Sequence, residues 1–328
     1  MLELSAIRRA IPPRFDRCLF ASGYERRARH AATPTLIRSA EIVVWGFEEH
    51  PTAIARVDND AHFGTMGAEP IVFSGNDDDA ADARSEAFLA VSGHEEPHLL
   101  VDISCMTRAW YGALVRTLMR WDGHNHLHVT FSYTYGAYRK PPAKRPLNEI
   151  VVPVRGFTGF ALPDAPSVLL MGLGFEPGRA MGAFTEIDPT STRCFYAHPG
   201  VDPRFRDDVV RANRDLANHV PSQEWVAYPL FDAFLSFHLL NAACNALSRR
   251  GQVILTNNGP KLFGLLCFLA AARHRSASVW RISSGASGEP TDCDAAGGPV
   301  FVTTSWRRVV SDAASSSSEA LVGGATLV

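Results

Sequence analysis

Two stretches of the chain bring together small residues, side-chain hydroxyls or amides and one basic residue, the set of groups that a phosphate site needs. The first runs Leu100-Val101-Asp102-Ile103-Ser104-Cys105-Met106-Thr107-Arg108, the second Val253-Ile254-Leu255-Thr256-Asn257-Asn258-Gly259-Pro260-Lys261. Each reads as an apolar strand, a polar loop and a basic residue that opens a helix. A helix start presents backbone N–H groups without intrahelical partners and a partial positive charge, so an anion is favoured there. Ser104, Thr107, Asn257, Asn258 and Gly259 can donate to a phosphate or let it approach the backbone, and Arg108 and Lys261 supply full charges, one as a fork and one as a point charge.

A second pair of loops repeats in the same order. Ser22-Gly23-Tyr24-Glu25 and Leu173-Gly174-Phe175-Glu176 each follow an apolar run and open a helical pattern. The two repeats are offset by 151 and 153 residues, which points to internal duplication with Arg108 aligned on Lys261. A cation in the first turn of a helix opposes the macrodipole, so a compensating anion is expected. Glu25 and Glu176 are one source of it and a bound phosphate is the other. The candidate ligand-binding set is therefore Ser22, Gly23, Glu25, Asp102, Ser104, Thr107, Arg108, Gly174, Glu176, Asn257, Asn258, Gly259 and Lys261.

These loops must be held by the elements around them. In the first half, strand patterns at Cys18–Ser22, Glu41–Gly46, Pro70–Phe73, Leu99–Ser104 and His126–Tyr135 alternate with helical patterns at Glu25–Ser39, Ala80–Ser92 and Thr107–Trp121. The second half offers strands at Asn148–Val154, Ser167–Gly172, Cys194–His198, Val253–Thr256 and Ser278–Ile282, with helices at Arg204–His219, Phe231–Arg250 and Pro260–His274. The expected fold class is α/β: two Rossmann-like, mainly parallel sheets with helices on both faces, related by internal duplication. The halves are placed at residues 1–145 and 146–310, with 311–328, rich in Ser, Ala and Gly, as a disordered tail. Winding in the order 3-2-1-4-5 sets strands 1 and 4 of each half beside the reversal of strand order, where open α/β sheets bind ligands.

Composition narrows the ligand. With 32 Lys and Arg against 34 Asp and Glu, the net charge is −2, so no global basic field is available to hold duplex nucleic acid and a nucleotide must be gripped locally. Six cysteines, none in a Cys-x-x-Cys pair, argue against a disulfide framework or a cysteine zinc site. No segment has the apolar length of a membrane span and no secretory signal precedes the first strands, so a cytoplasmic protein without membrane contact is expected.

The loop Asp102-Ile103-Ser104-Cys105-Met106-Thr107-Arg108 resembles the Asp-x-Thr-Gly-Gly-Thr-Lys loop after the fourth strand of CARF domains, the CRISPR-associated Rossmann-fold sensors of cyclic oligoadenylate. Asp102, Ser104, Thr107 and Arg108 fit that pattern; Cys105 and Met106 replace the glycines. In the second half Asn257-Asn258-Gly259-Pro260-Lys261 keeps one glycine and the lysine, with Leu255 in place of the aspartate. The resemblance implies a tandem pseudo-dimer that binds a phosphorylated nucleotide, cyclic or linear, between its halves. It implies the role of a sensor or adaptor in a prokaryotic antiviral defence system, alongside other proteins of that system. Two alternatives stay open: a metal-independent enzyme of ring-nuclease, hydrolase or transferase type using the same crevice, and a non-catalytic scaffold subunit of a defence complex.

Other patterns carry less. Gly-x-Gly-x-x-Gly, Walker A and Gly-x-Ser-x-Gly motifs are absent, and no cofactor is implied. Tyr133, Tyr135 and Tyr138, with Trp280 and Arg281 in the second half, offer a platform for a base. Asp77–Asp79 reads as a helix cap rather than a calcium site, and Arg211 and His219 as a solvated helix face. His124, His126 and His128 alternate beside Asp122 at a strand start; without a distant further ligand they are assigned to a polar loop entering an edge strand.

Overall fold

The computed structural model describes residues 1–38, 40–141, 148–160, 164–284 and 289–308. The tail expected over 311–328 lies outside the described residues, as does Ser39. In chain order the elements of the first half are β1 Leu2–Arg8, β2 Arg17–Ser22, β3 Glu41–Phe47, α1 Arg56–Gly64, β4 Ile71–Phe73, α2 Asp78–Leu89, β5 His98–Asp102, α3 Arg108–Arg120 and β6 His126–Tyr133. There follow β7 Ile150–Pro153, β8 Ser167–Gly172, α4 Arg179–Ile187, β9 Ser191–Ala197, α5 Pro203–Ala212, β10 Trp225–Tyr228, α6 Ala233–Leu247, β11 Gln252–Asn257, α7 Lys261–Arg273, β12 Ser278–Ser283 and β13 Val300–Arg308.

These strands form two mainly parallel sheets. One has seven strands in the order β1-β13-β6-β5-β2-β3-β4, the other six in the order β10-β9-β8-β11-β12-β7. Within each, the five parallel strands are wound 3-2-1-4-5: β4-β3-β2-β5-β6 in the first and β10-β9-β8-β11-β12 in the second. Each fifth strand then takes an antiparallel neighbour, β13 against β6 and β7 against β12. The strand order reverses beside β2–β5 and β8–β11, so the loops after those strands open at the carboxyl ends where ligands enter such folds.

Chain order and sheet membership part at the carboxyl end. β13 leaves the second half and pairs with β6, and β1 adds to it antiparallel, so the two ends of the described chain meet in the first sheet. The halves are bound through helices as well. α7 is buried at every position from Leu262 to Ala272, because its sequence Leu-Phe-Gly-Leu-Leu-Cys-Phe-Leu-Ala-Ala-Ala offers no polar face and it is enclosed on all sides. It packs on α3, α6 and β1 within one hydrophobic core that runs through both halves. The crossing with α3 is close: a Cβ on Gly112 would sit 3.0 Å from the ring of Phe268, whose ring also meets Tyr111 edge-on at 5.6 Å.

Local differences from the sequence patterns have physical causes. The helix expected over Glu25–Ser39 is only a 3-10 turn at Arg26–Arg29, because Arg27 turns inward to bond Glu25 and the Thr134 carbonyl and Pro34 follows within two turns. The helix expected over Arg204–His219 stops at Ala212, where Asn213 turns its amide onto Val209 O and Gly174 O. Among the described residues no helix is long and apolar enough to cross a membrane.

Candidate functional site

A cleft of about 900 Å³ opens where the carboxyl ends of both sheets face each other. Its wall takes in the loops after β2 and β5 from the first half and after β8 and β11 from the second, together with the ends of β3, β6, β9 and β12. Nine of the sequence-derived residues line it: Gly23, Glu25, Thr107, Arg108, Gly174, Glu176, Asn258, Gly259 and Lys261. Two loops that are 153 residues apart in sequence thus meet at one site.

The other four stand behind the wall and shape it. Ser22 is fully buried and donates to Asp60 Oδ1 at 2.5 Å. Asp102 accepts from Ser104 Oγ and Ser132 Oγ, each at 2.8 Å, and Ser104 Oγ in turn accepts from Thr134 N–H at 2.8 Å. Burial raises the Asp102 carboxyl from 3.8 to about 6, against the opposing effect of those two hydroxyl donors. Asn257 folds its side chain over its own loop, accepting from Gly259 N–H at 2.9 Å and donating to Pro260 O at 2.9 Å.

Each half holds its glycine loop with a buried asparagine that neither loop motif reveals. Asn59 Nδ2 donates to Gly23 O at 2.8 Å and to Glu25 O at 3.0 Å; Asn213 Nδ2 donates to Gly174 O at 2.8 Å. Asn59 lies within α1 and Asn213 caps the carboxyl end of α5, each helix following the second parallel strand of its half. The glycines themselves serve packing between loops. A Cβ on Gly174 would overlap the carbonyl of Asn258, and one on Gly259 that of Leu173. At Gly23 a Cβ would meet only Phe47 and Cys105 at ordinary distance, 3.4 and 3.5 Å.

Arg108 and Lys261 occupy the first position of α3 and α7 and reach into opposite halves. Lys261 Nζ donates to Ser104 O at 2.9 Å, and Arg108 Nη1 donates to Ile282 O at 3.3 Å. Burial lowers the Lys261 ammonium below its ordinary value, with the nearby Glu25 carboxylate acting against that. α3 is capped by Thr107 Oγ1, which accepts from Trp110 N–H at 3.3 Å and donates to Gly75 O at 2.6 Å. α7 starts after Pro260 with no side-chain cap, and Pro260 and Lys261 line the cleft.

The balance of charge in the wall is the reverse of that of the chain. Seven cationic side chains line the cleft against three carboxylates, on a chain whose net charge is −2. Arg27 pairs with Glu25 at 2.5 Å and Arg179 with Glu176, an equivalent pair in each half. Glu49 is held by the Ser74 hydroxyl at 2.5 Å and the Gly75 amide. The remaining five, Arg108, Arg139, Lys140, Lys261 and Arg281, have no carboxylate at ion-pair distance among the described residues. Arg27, Arg139, Lys140, Arg179 and Arg281 lie outside the repeated loops, which is why spacing within those loops could not single them out.

Aromatic residues are present, differently from the sequence pattern. Tyr133 and Tyr135 form buried floor, edge-to-face at 4.7 Å, and Tyr135 donates to Leu230 O. Tyr138 stands outside the cleft wall, donating to Asp208 at 2.8 Å under Arg204, and Trp280 packs in the core of the second half. Partly exposed rings in the lining include Tyr24 and Phe175, which follow Gly23 and Gly174.

Set against known proteins, the chain matches no protein-family model and no curated protein.

Proposed function

We propose that this cleft binds a phosphorylated nucleotide, cyclic or linear, and that the chain is a nucleotide-binding sensor or adaptor of a prokaryotic antiviral defence system acting in the cytoplasm. The observation that carries the reading is the pair Arg108 and Lys261, two helix-initiating cations that cross between the halves to backbone carbonyls, with no carboxylate at ion-pair distance among the described residues. A cation without a carboxylate partner keeps its net charge, and clustering five of them costs repulsion that an anion relieves. Phosphate oxygens suit the uncapped start of α7, and the rings of Tyr24 and Phe175 suit bases at either side of it. The reading also accounts for scale, since a cleft of about 900 Å³ accommodates a ligand larger than a mononucleotide. The link to defence comes from the resemblance of Asp102–Arg108 to the CARF loop.

Native mass spectrometry of the purified protein tests this. A retained nucleotide that leaves intact on denaturation, and that Arg108→Ala with Lys261→Ala loses, is the expected result. A ligand recovered as cleaved product would assign turnover to the same crevice. Protein that ignores a panel of cyclic and linear nucleotides would leave the cleft without this role.

A further inference from the structure

At the end of the first sheet away from the cleft, the amino ends of β5 and β6 carry a cluster of imidazoles and one carboxylate. Alternate residues of a strand share a face, so His126 and His128 of β6 stand side by side with ring centroids 4.5 Å apart. Parallel pairing of β5 with β6 sets His98 opposite His128, and two residues earlier Glu96 comes level with His126. This is the distant third group that the histidine spacing alone does not supply. β6 is also no edge strand, since β13 covers its other side. His124 does not join: it accepts from Trp121 Nε1 at 3.2 Å and its Nε2 meets Val91 O at 3.0 Å.

We propose that Glu96, His126 and His128 form a binding site for a divalent transition-metal ion of the zinc class. One oxygen of Glu96, His126 Nδ1 and His128 Nε2 all lie within 4.8 Å of one another. Glu96 Oε1 is 2.8 Å from His126 Nδ1 and Oε2 is 3.8 Å from His128 Nε2. A tetrahedral ion with bonds of 2.0–2.1 Å needs ligand atoms roughly 3.3 Å apart, and the two carboxylate-to-imidazole distances lie on either side of that value. The rings are already aimed. His128 Nδ1 is 3.0 Å from Ser305 Oγ on β13, a contact that turns Nε2 toward Glu96, and the His98 ring stacks on His128 at 4.5 Å and 12°. Two imidazoles and one carboxylate select zinc, cobalt or nickel over calcium or magnesium. The Glu96 side chain is 58% exposed, which leaves room for water in the remaining coordination position.

Proton positions change on binding without net loss from a neutral ring. Arg307 Nε can only donate, and it lies 3.3 Å from His126 Nε2, so in the metal-free site the ring proton sits on Nδ1 and points at Glu96. The ion takes that position, the proton moves to Nε2 through solvent, and the exposed Arg307 side chain yields the outer edge of the ring. The ion then clips the loop before β5 to β6, independently of whatever occupies the cleft.

The test is a cobalt titration of untagged, chelator-treated full-length protein, followed by visible absorption and by metal content after desalting. One cobalt per chain is expected, with ligand-field bands of nitrogen and oxygen donors and no thiolate-to-metal band. Glu96→Gln, at an exposed position, should weaken uptake at least tenfold, and His126→Ala with His128→Ala should abolish it while zinc competes in the parent protein. Near-ultraviolet circular dichroism of each variant separates lost ligands from lost folding. Absence of uptake, a thiolate band, or uptake that the Glu96→Gln variant leaves unchanged would overturn the assignment.

Discussion

Lys261 of the second half donates its ammonium to the carbonyl of Ser104 in the first, 2.9 Å away, and so closes the cleft from one side. Arg108 answers from the first half by donating to the carbonyl of Ile282, 3.3 Å away in the second. Each charge is thereby fixed at a helix start and left without a counter-charge of its own. On the proposed function, a ligand phosphate is the partner of both.

Single substitutions Arg108→Ala and Lys261→Ala should each weaken nucleotide binding by about tenfold to a hundredfold, the range for a charge-assisted hydrogen bond lost at a desolvated site. Arg108→Lys should recover part of the loss, since it restores the charge without the fork. Isothermal titration at two ionic strengths checks this, with wild-type affinity falling more steeply with salt than that of either variant.

The paired asparagines should matter equally to the fold. Asn59→Ala strands the carbonyls of Gly23 and Glu25, and Asn213→Ala that of Gly174, so each should cost about 1–3 kcal/mol. Urea unfolding reads this as a fall in midpoint without a change in slope.

The two loop glycines, by contrast, should respond differently. Gly174→Ala places a methyl on the Asn258 carbonyl and should cost more than about 2 kcal/mol, whereas Gly23→Ala meets only ordinary contacts and should stay within about 1 kcal/mol. Thermal unfolding of the two variants side by side checks the order.

Asp102 predicts a pH dependence of defined sign. Its folded carboxyl titrates at about 6 against 3.8 when free, so between those values the folded state holds a proton that the unfolded state releases. The contribution is fully present below the unfolded value and is lost as pH rises to the folded one, about 3 kcal/mol in all. Asp102→Asn removes this titration. The stability of wild type relative to the variant should therefore fall between roughly pH 3.5 and 6.5, as urea midpoints across that range would show.

The parallel strands other than β10 and the site loops were legible because their signals are local: β-branched runs, Gly-containing turns and the step from strand to amphipathic or apolar helix. The winding 3-2-1-4-5 was a condition that the alternation does not itself fix, and it holds in both sheets. β13 has as clear a strand pattern, Val-Phe-Val-Thr-Thr-Ser-Trp, but its partner is β6, more than 160 residues earlier, and nothing local announces such a pairing. α1 stayed hidden for a different reason, and α4, the helix that Leu173–Glu176 was expected to open, starts only at Arg179. Arg-Val-Asp-Asn-Asp-Ala-His-Phe-Gly has scarcely an apolar stripe, and Gly178 ahead of α4 takes a left-handed φ of 79° that reads as a loop. Within the site, charge at Arg108 and Lys261 was visible, whereas Arg27, Arg139, Lys140, Arg179 and Arg281 converge only through tertiary structure.

The most direct test of the central claim is equilibrium titration of a panel of mononucleotides, linear oligonucleotides and cyclic oligonucleotides into wild-type protein and into the Arg108→Ala, Lys261→Ala double variant, both confirmed folded. One ligand bound per chain and an affinity at least a hundredfold lower in the double variant are the expected results. Absence of binding across the panel, or equal binding by both proteins, would contradict it.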